Sequence, residues 1–305
     1  MTVPTNVKYT YDLTVSVVEK LLAKYPFLSA SSVGKSVRGK DIIALTCGRG
    51  RKKVFFNGSH HANEWITTPL LLKFVDKYLD AYKNKKEIHR LDAQRLFKTR
   101  TLVVVPLVNP DGVDLVNGAI AADDQYYKKA LKISSGFPDV PFPDGWKANI
   151  DGIDLNLNYP ANWNMAKENK RRIGVASCAP RDYVGEYPLC APESRALYNL
   201  SVAMGFSLTL SYHTQGRVIY WKYLDYLPQN SEEIADALSK ASGYKTEVTP
   251  TESGFAGYKD WFISNYNLPG YTVEAGEGEN PLPIRQFDEI YRDNEGLMAM
   301  AINMA

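Results

Sequence analysis

Cysteine is scarce in this chain, with Cys47, Cys178 and Cys190 the three thiols among 305 residues. That is too few for a disulfide framework, and without a Cys-x-x-Cys pair there is no thiolate zinc ribbon. Cys178 and Cys190 bracket the loop-like segment APRDYVGEYPL, where they either close a bridge or stay free; Cys47 reads as a buried strand residue. An excess of one charge is also missing. Thirty-six Lys plus Arg against 34 Asp plus Glu leave +2, which removes any bulk electrostatic case for nucleic acid or an anionic membrane. Apolar runs such as Leu102–Val108 are far too short to span a bilayer. The first twenty residues, MTVPTNVKYTYDLTVSVVEK, lack a basic start followed by an apolar stretch, so no signal peptide is expected in them. An export signal upstream would leave no trace, and cytoplasm and cell envelope both stay open. Repeats, low-complexity linkers and composition shifts are absent too, which predicts one domain over residues 1–305. What is present, 45% apolar and 23% charged residues, is ordinary globular composition.

Hydrophobic spacing predicts helices over Tyr11–Tyr25, Glu64–Tyr82, Glu193–Met204, Ser231–Ser242, Lys259–Asn267 and Ile284–Met304. Strands are expected as a pair within Ser32–Gly48 around Arg38-Gly39-Lys40, and at Lys53–Phe56, Leu102–Val108, Ser207–Tyr212, Val218–Trp221 and Gly270–Glu274. The stretch from Ile133 to Pro160 reads as a long loop. Apolar strands interleaved with helices point to an α/β fold: a mixed, largely parallel central sheet with helices on both faces.

The residues just beyond each buried strand carry the chemistry. VFF runs into Asn57-Gly58-Ser59-His60-His61-Ala62-Asn63-Glu64, LVVVPLV into Asn109-Pro110-Asp111-Gly112, SLTLSY into His213, and GYTV into Glu274. Open α/β sheets gather functional groups at the carboxyl ends of their strands. His61 and Glu64 are three apart where a loop enters a helix, so both can face one point. Two His and one Glu form an attested hydrolytic zinc set, and among the four histidines His213 is the natural third ligand. Such a site keeps a position for water, made more acidic by the metal, and needs a nearby base. Glu274 is the best unassigned carboxylate for that role. Taken singly, each of these residues would as readily be a capping pair, a structural histidine or a surface acid.

Together the residues resemble the zinc metallocarboxypeptidase family over nearly the whole chain. The resemblance rests on Gly34-Lys35-Ser36-Val37-Arg38-Gly39, His61-x-x-Glu64-Trp65-Ile66-Thr67, Asn109-Pro110-Asp111-Gly112, Gly152-Ile153-Asp154-Leu155-Asn156, His213-Thr214, Asp260-Trp261 and Glu274, in family order. It implies one zinc ion per chain on His61, Glu64 and His213. It also implies that Asp154 orients His61 and that Glu274 acts as general base and then acid.

The departures narrow the reading. Family exopeptidases hold a terminal carboxylate with an Asn-Arg pair, here Asn156-Leu157, and leucine cannot make that bidentate contact. Lys147 stands where an oxyanion-polarising arginine is expected, and Asn63 stands where the animal enzymes place a further arginine. Tyr258 is the available counterpart of the tyrosine that closes over substrate, and Asn156 and Arg217 are candidate substrate contacts. With Trp-Lys-Ala-Asn, His-Thr-x-Gly and Ile-Tyr-Trp, these features resemble the bacterial branch that cleaves γ-D-glutamyl-diaminopimelate bonds in cell-wall peptides. The expected partner is therefore a peptide or muropeptide, with no nucleic acid and no membrane span; oligomeric state stays open. The alternatives are a carboxypeptidase of ordinary specificity using Lys147 or Arg217, a deacylase of N-acyl amino acids, and a catalytically silent binding module.

Overall fold

A computed structural model describes residues 2–250 and 254–305. Helices lie at α1 Tyr11–Lys24, α2 Thr67–Lys83, α3 Ala93–Thr99, α4 Pro110–Val116, α5 Gln125–Ser134, α6 Trp163–Arg172, α7 Pro192–Met204, α8 Ser231–Ser242, α9 Tyr258–Tyr266 and α10 Phe287–Met304. Strands lie at β1 Ser29–Lys35, β2 Asp41–Gly48, β3 Lys52–Gly58, β4 Glu87–Ile88, β5 Leu91–Asp92, β6 Arg100–Val105, β7 Leu208–His213, β8 Val218–Tyr220, β9 Lys245–Glu247 and β10 Gly270–Glu274. Among the described residues, eight strands form one sheet in the order β1-β2-β6-β3-β7-β10-β8-β9, with β4 and β5 a separate ribbon.

The middle of the sheet, β6-β3-β7-β10, is parallel, and antiparallel pairs flank it at β1-β2, β2-β6 and β10-β8. The strand sequences account for this. Side chains alternate between faces with period two, and both faces of the central strands are covered, so the strands are rich in apolar residues and even their polar members Asn57, Thr209 and Ser211 are buried. On one face Val54, Phe56, Leu102, Val104, Leu208 and Leu210 pack with residues of α1, α2, α8 and α10. On the other, Phe55, Val103 and Val105 pack with Leu197 of α7 and with Tyr258, Trp261 and Phe262 of α9. Each such aromatic or aliphatic side chain contributes about 1.5–3 kcal/mol on full burial. The chain leaving β3 goes to β6 on one side and the chain leaving β7 goes to β8 and β10 on the other, which creates a crevice at the carboxyl edge between β3 and β7. No helix among the described residues is long and apolar enough to cross a membrane.

Three expected boundaries move for local reasons. The strand expected over Leu102–Val108 ends at Val105, ahead of Pro106. The helix expected from Glu64 opens instead with a 3₁₀ turn, Ala62–Glu64, and α2 begins at Thr67, whose hydroxyl donates to the Glu64 carbonyl (2.9 Å). The predicted long loop from Ile133 begins inside α5. Helix α6, WNMAKENKRR, escapes periodicity analysis because it buries only Trp163 and Ala166 and so has no apolar stripe.

Candidate metal centre and its pocket

Register brings the site together. Glu274 and His213 are paired neighbours at the ends of β10 and β7, and Gly58 pairs with Tyr212 at the end of β3. At Gly58 an added Cβ would lie 2.9 Å from Leu71 Cδ1 and 3.0 Å from the Thr67 hydroxyl, so glycine lets the strand end approach α2 closely without displacing either. Beyond it, Ser59 takes positive φ and the chain turns into His60 and His61.

His61, Glu64 and His213 are buried and present one ligand atom each, all within 4.8 Å of one another. His61 Nδ1 lies 2.8 Å from Glu64 Oε1, His213 Nδ1 lies 2.9 Å from Glu64 Oε2, and the two Nδ1 atoms are 3.2 Å apart. On its other side His61 Nε2 meets Asp154 Oδ1 at 3.0 Å. A proton on Nε2 donates to that carboxylate and leaves the Nδ1 lone pair facing Glu64 and His213. Two imidazole nitrogens and a carboxylate converging on one buried point are the donor chemistry of a zinc site, and the residues fit that ion.

The buried groups of the site also set one another's charge. Burial opposes charge on Glu64, yet His61 and Lys147 hold its carboxyl well below the usual range. Burial likewise opposes charge on Asp154, and His61 and Lys147 again keep it low. The His61 ring is raised to about 9 because Glu64, assisted by Asp154, outweighs its burial. Burial lowers His213. Glu274 moves the other way: burial, with the Glu64 charge beside it, pushes its carboxyl up to about 8.

Lys147 reaches the centre, its Nζ 3.3 Å from Glu64 Oε1. Its loop is fixed by the Lys147 carbonyl accepting from Ala62 N (3.0 Å) and by Lys147 N donating to Pro180 O (2.8 Å). A cavity of about 270 Å³ opens beside these groups, and His61, Lys147, Asp154, Asn156 and Glu274 all line it. Asn156 accepts from Tyr258 N (3.0 Å) through its side-chain oxygen. Leu157 also forms part of this wall.

Two expected substrate contacts are not in this cavity. The Tyr258 ring is fully buried in the core and its hydroxyl pairs with Ser201 at 2.7 Å, so it does not face the pocket. Arg217 turns to Glu289 and Asp293, each 3.2 Å away, and to Glu277 at 4.0 Å, lining a separate cavity. Asp111, grouped with the strand-end residues by position, is structural. It accepts from Arg38 N at 2.9 Å and meets Lys40 at 3.3 Å, while Asn109 caps α4 through Gly112 N at 3.0 Å. All three cysteines are free thiols.

A polar, carboxylate-rich substrate calls for cations along the pocket, but sequence reading did not find the residues that supply them. Lys170 pairs with Asp182 (2.7 Å), Arg181 with Asp182 (2.9 Å) and Lys259 with Asp260 (2.6 Å), and all five residues border the same cavity. Asp260-Trp261 marks one of these pairs in the sequence; Lys170, Arg181 and Asp182 come from segments that carry no local signal.

Comparison with known proteins agrees with this geometry. A family model described as zinc carboxypeptidase matches residues 14–296. The chain is 41% identical over 289 residues to γ-D-glutamyl-L-diamino acid endopeptidase 1 of Lysinibacillus sphaericus, covering 95% of this chain and 71% of that protein. In fold it is similar to thrombin-activatable fibrinolysis inhibitor, with TM-score 0.77 and 19% identity over 98% of this chain and 75% of that one. It is also similar to murein-tripeptide amidase MpaA from Escherichia coli O157, with TM-score 0.55 and 21% identity over 90% and 91% of the two chains.

Proposed function

The chain belongs to the zinc carboxypeptidase family, and we propose that this zinc peptidase acts on bacterial cell-wall peptides, at the amide bond between γ-D-glutamate and a diamino acid. In this reading residues 1–305 form one catalytic domain, and His61, Glu64 and His213 hold the ion. When bound, zinc supplies Lewis acidity and lowers the pKa of a water molecule. Glu274 takes a proton from the attacking water and returns it to the leaving amine, a role suited to a carboxyl raised by burial. Lys147 lends positive charge to the developing oxyanion. Asn156, which lines the cavity, is the remaining candidate substrate contact.

The observation that carries the choice of substrate is the cavity wall. Leu157 stands there at the place where the resemblance puts a carboxylate-gripping arginine, while Lys170, Arg181 and Lys259 alternate with Asp182 and Asp260. A wall of paired charges suits a residue bearing both an ammonium and a carboxylate, and it disfavours the apolar or singly charged ends of ordinary peptides. The similarity to the L. sphaericus endopeptidase supports the same class. The carboxypeptidase alternative loses one of its two candidate cations, since Arg217 lines a separate cavity away from Glu274.

Initial rates on an L-Ala-γ-D-Glu-diaminopimelate tripeptide are to be compared with those on peptides ending in Phe, Lys or Glu. We expect the tripeptide to be cleaved at the γ-amide with the highest kcat/KM. Faster release of an ordinary C-terminal residue overturns the assignment.

A further inference from the structure

Thr214, the residue after His213, spends all of its hydrogen-bonding groups on two partners. Its backbone N–H donates to Glu64 Oε2 (3.3 Å). Its hydroxyl donates to Asn280 Oδ1 (2.7 Å), and its carbonyl accepts from Asn280 Nδ2 (2.8 Å). Asn280 lies in the loop that follows Glu274, far from Thr214 in sequence. The same two loops are stitched at the backbone, where Ala275 N donates to His213 O (2.9 Å) and Gly216 N to Gly276 O (2.8 Å).

An amide presents an acceptor and a donor side by side on one planar end, which matches the hydroxyl and carbonyl of a single threonine. The match also fixes the amide's orientation, since turned over it would set Oδ1 against the Thr214 carbonyl. Glu64 Oε2 thus receives a backbone donor whose residue is held from behind on both sides, while His213 Nδ1 approaches the same oxygen at 2.9 Å.

We propose that Asn280 is a positioning residue: by gripping Thr214 it holds the Thr214 N–H on Glu64 and so sets the geometry in which Glu64 and His213 share a metal ion. It couples the loop carrying the general base to the loop carrying a ligand. The inference rests on the zinc reading of the site and is independent of which peptide is cleaved. Groups that orient metal ligands commonly change affinity by about 10–100-fold when lost.

The test is zinc affinity by chelator competition, with the visible spectrum of the cobalt-substituted protein as a second readout, in wild type, Asn280→Ala, Thr214→Val and Thr214→Ser. Asn280 sits half-buried on a loop, so Asn280→Ala is expected to fold with an unchanged far-UV spectrum. We expect about tenfold or greater loss of zinc affinity in Asn280→Ala, with an altered cobalt spectrum. Thr214→Val should lose affinity in the same direction and Thr214→Ser should restore it. Zinc affinity within twofold of wild type and an unchanged cobalt spectrum in Asn280→Ala overturn this assignment alone. Failure of the wild-type chain to hold zinc overturns the zinc reading and the assignment with it.

Discussion

His61 is gripped from both ring nitrogens, with Asp154 Oδ1 3.0 Å from Nε2 while Nδ1 faces Glu64. Asp154 is itself held, accepting from Asn156 N at 3.2 Å through Oδ1 and from Asp182 N at 3.3 Å through Oδ2. The carboxylate therefore has a fixed position from which to select the Nε2–H tautomer. Asp154→Ala removes that selection and leaves the ring free to turn. We expect zinc affinity to fall by about 10–100-fold, measured by competition with a chromogenic chelator. Unchanged affinity would show that Glu64 and His213 alone define the His61 tautomer.

Glu274 differs from the zinc-site acid Glu64 in the direction of its shift. Glu64 is held ionised by His61 and Lys147 despite burial, whereas burial and the Glu64 charge raise Glu274 to about 8. A base acts in its ionised form, so protonating Glu274 on the acid side removes activity and gives kcat/KM an ascending limb with pH. Glu274→Gln keeps the shape of the side chain without the base. It should retain stoichiometric zinc, lose about 10²–10⁴-fold in kcat and lose that limb. A variant with near-normal turnover and the same pH profile would remove Glu274 from the mechanism.

The parts legible in the sequence share one property: their signal is local. Apolar runs at Val54–Phe56 and Leu102–Val105 mark strands covered on both faces, and His61-x-x-Glu64 places two ligands on one turn. His213 and Glu274 are readable because each is the last residue of a short strand. The hidden parts depend on distant partners or on the rotation of a helix. Arg217 resembles a free cation until α10 supplies Glu289 and Asp293. Tyr258 begins α9 beside Lys259 and Asp260, which border the pocket, yet the helix turns its hydroxyl to Ser201 on α7.

That orientation of Tyr258 has a measurable consequence. The hydroxyl is buried against Ser201, whose own Oγ also donates to Leu197 O at 2.8 Å. Tyr258→Phe removes one buried hydrogen bond and leaves Ser201 with a partner. We expect a loss of about 1 kcal/mol in stability, read by urea denaturation, with kcat and KM within twofold of wild type. A large rise in KM at unchanged stability would mean that the ring leaves the core to meet substrate.

Glu193, at the start of α7, provides a pH test away from the metal. It is fully buried; Oε1 accepts from Val37 N at 3.2 Å and Oε2 from Asn149 Nδ2 at 3.1 Å. Burial outweighs these donors and raises its carboxyl to about 7, from an ordinary value of 4.5. An acid raised on folding favours the folded state while it is protonated. Its contribution is therefore fully present below about pH 4.5 and is lost as pH rises through 7. The shift corresponds to a contribution on the order of 3 kcal/mol at most, since one pKa unit is about 1.4 kcal/mol. In the zinc-loaded protein, Glu193→Gln should flatten the fall in stability between pH 5 and pH 8, followed by urea midpoints at each pH. The Gln amide still offers an oxygen to Val37 N, so the change bears mainly on the Asn149 side, where the loop carrying Lys147 is anchored. An unaltered slope in the variant would mean that Glu193 is already ionised at pH 5 and that its donors outweigh burial.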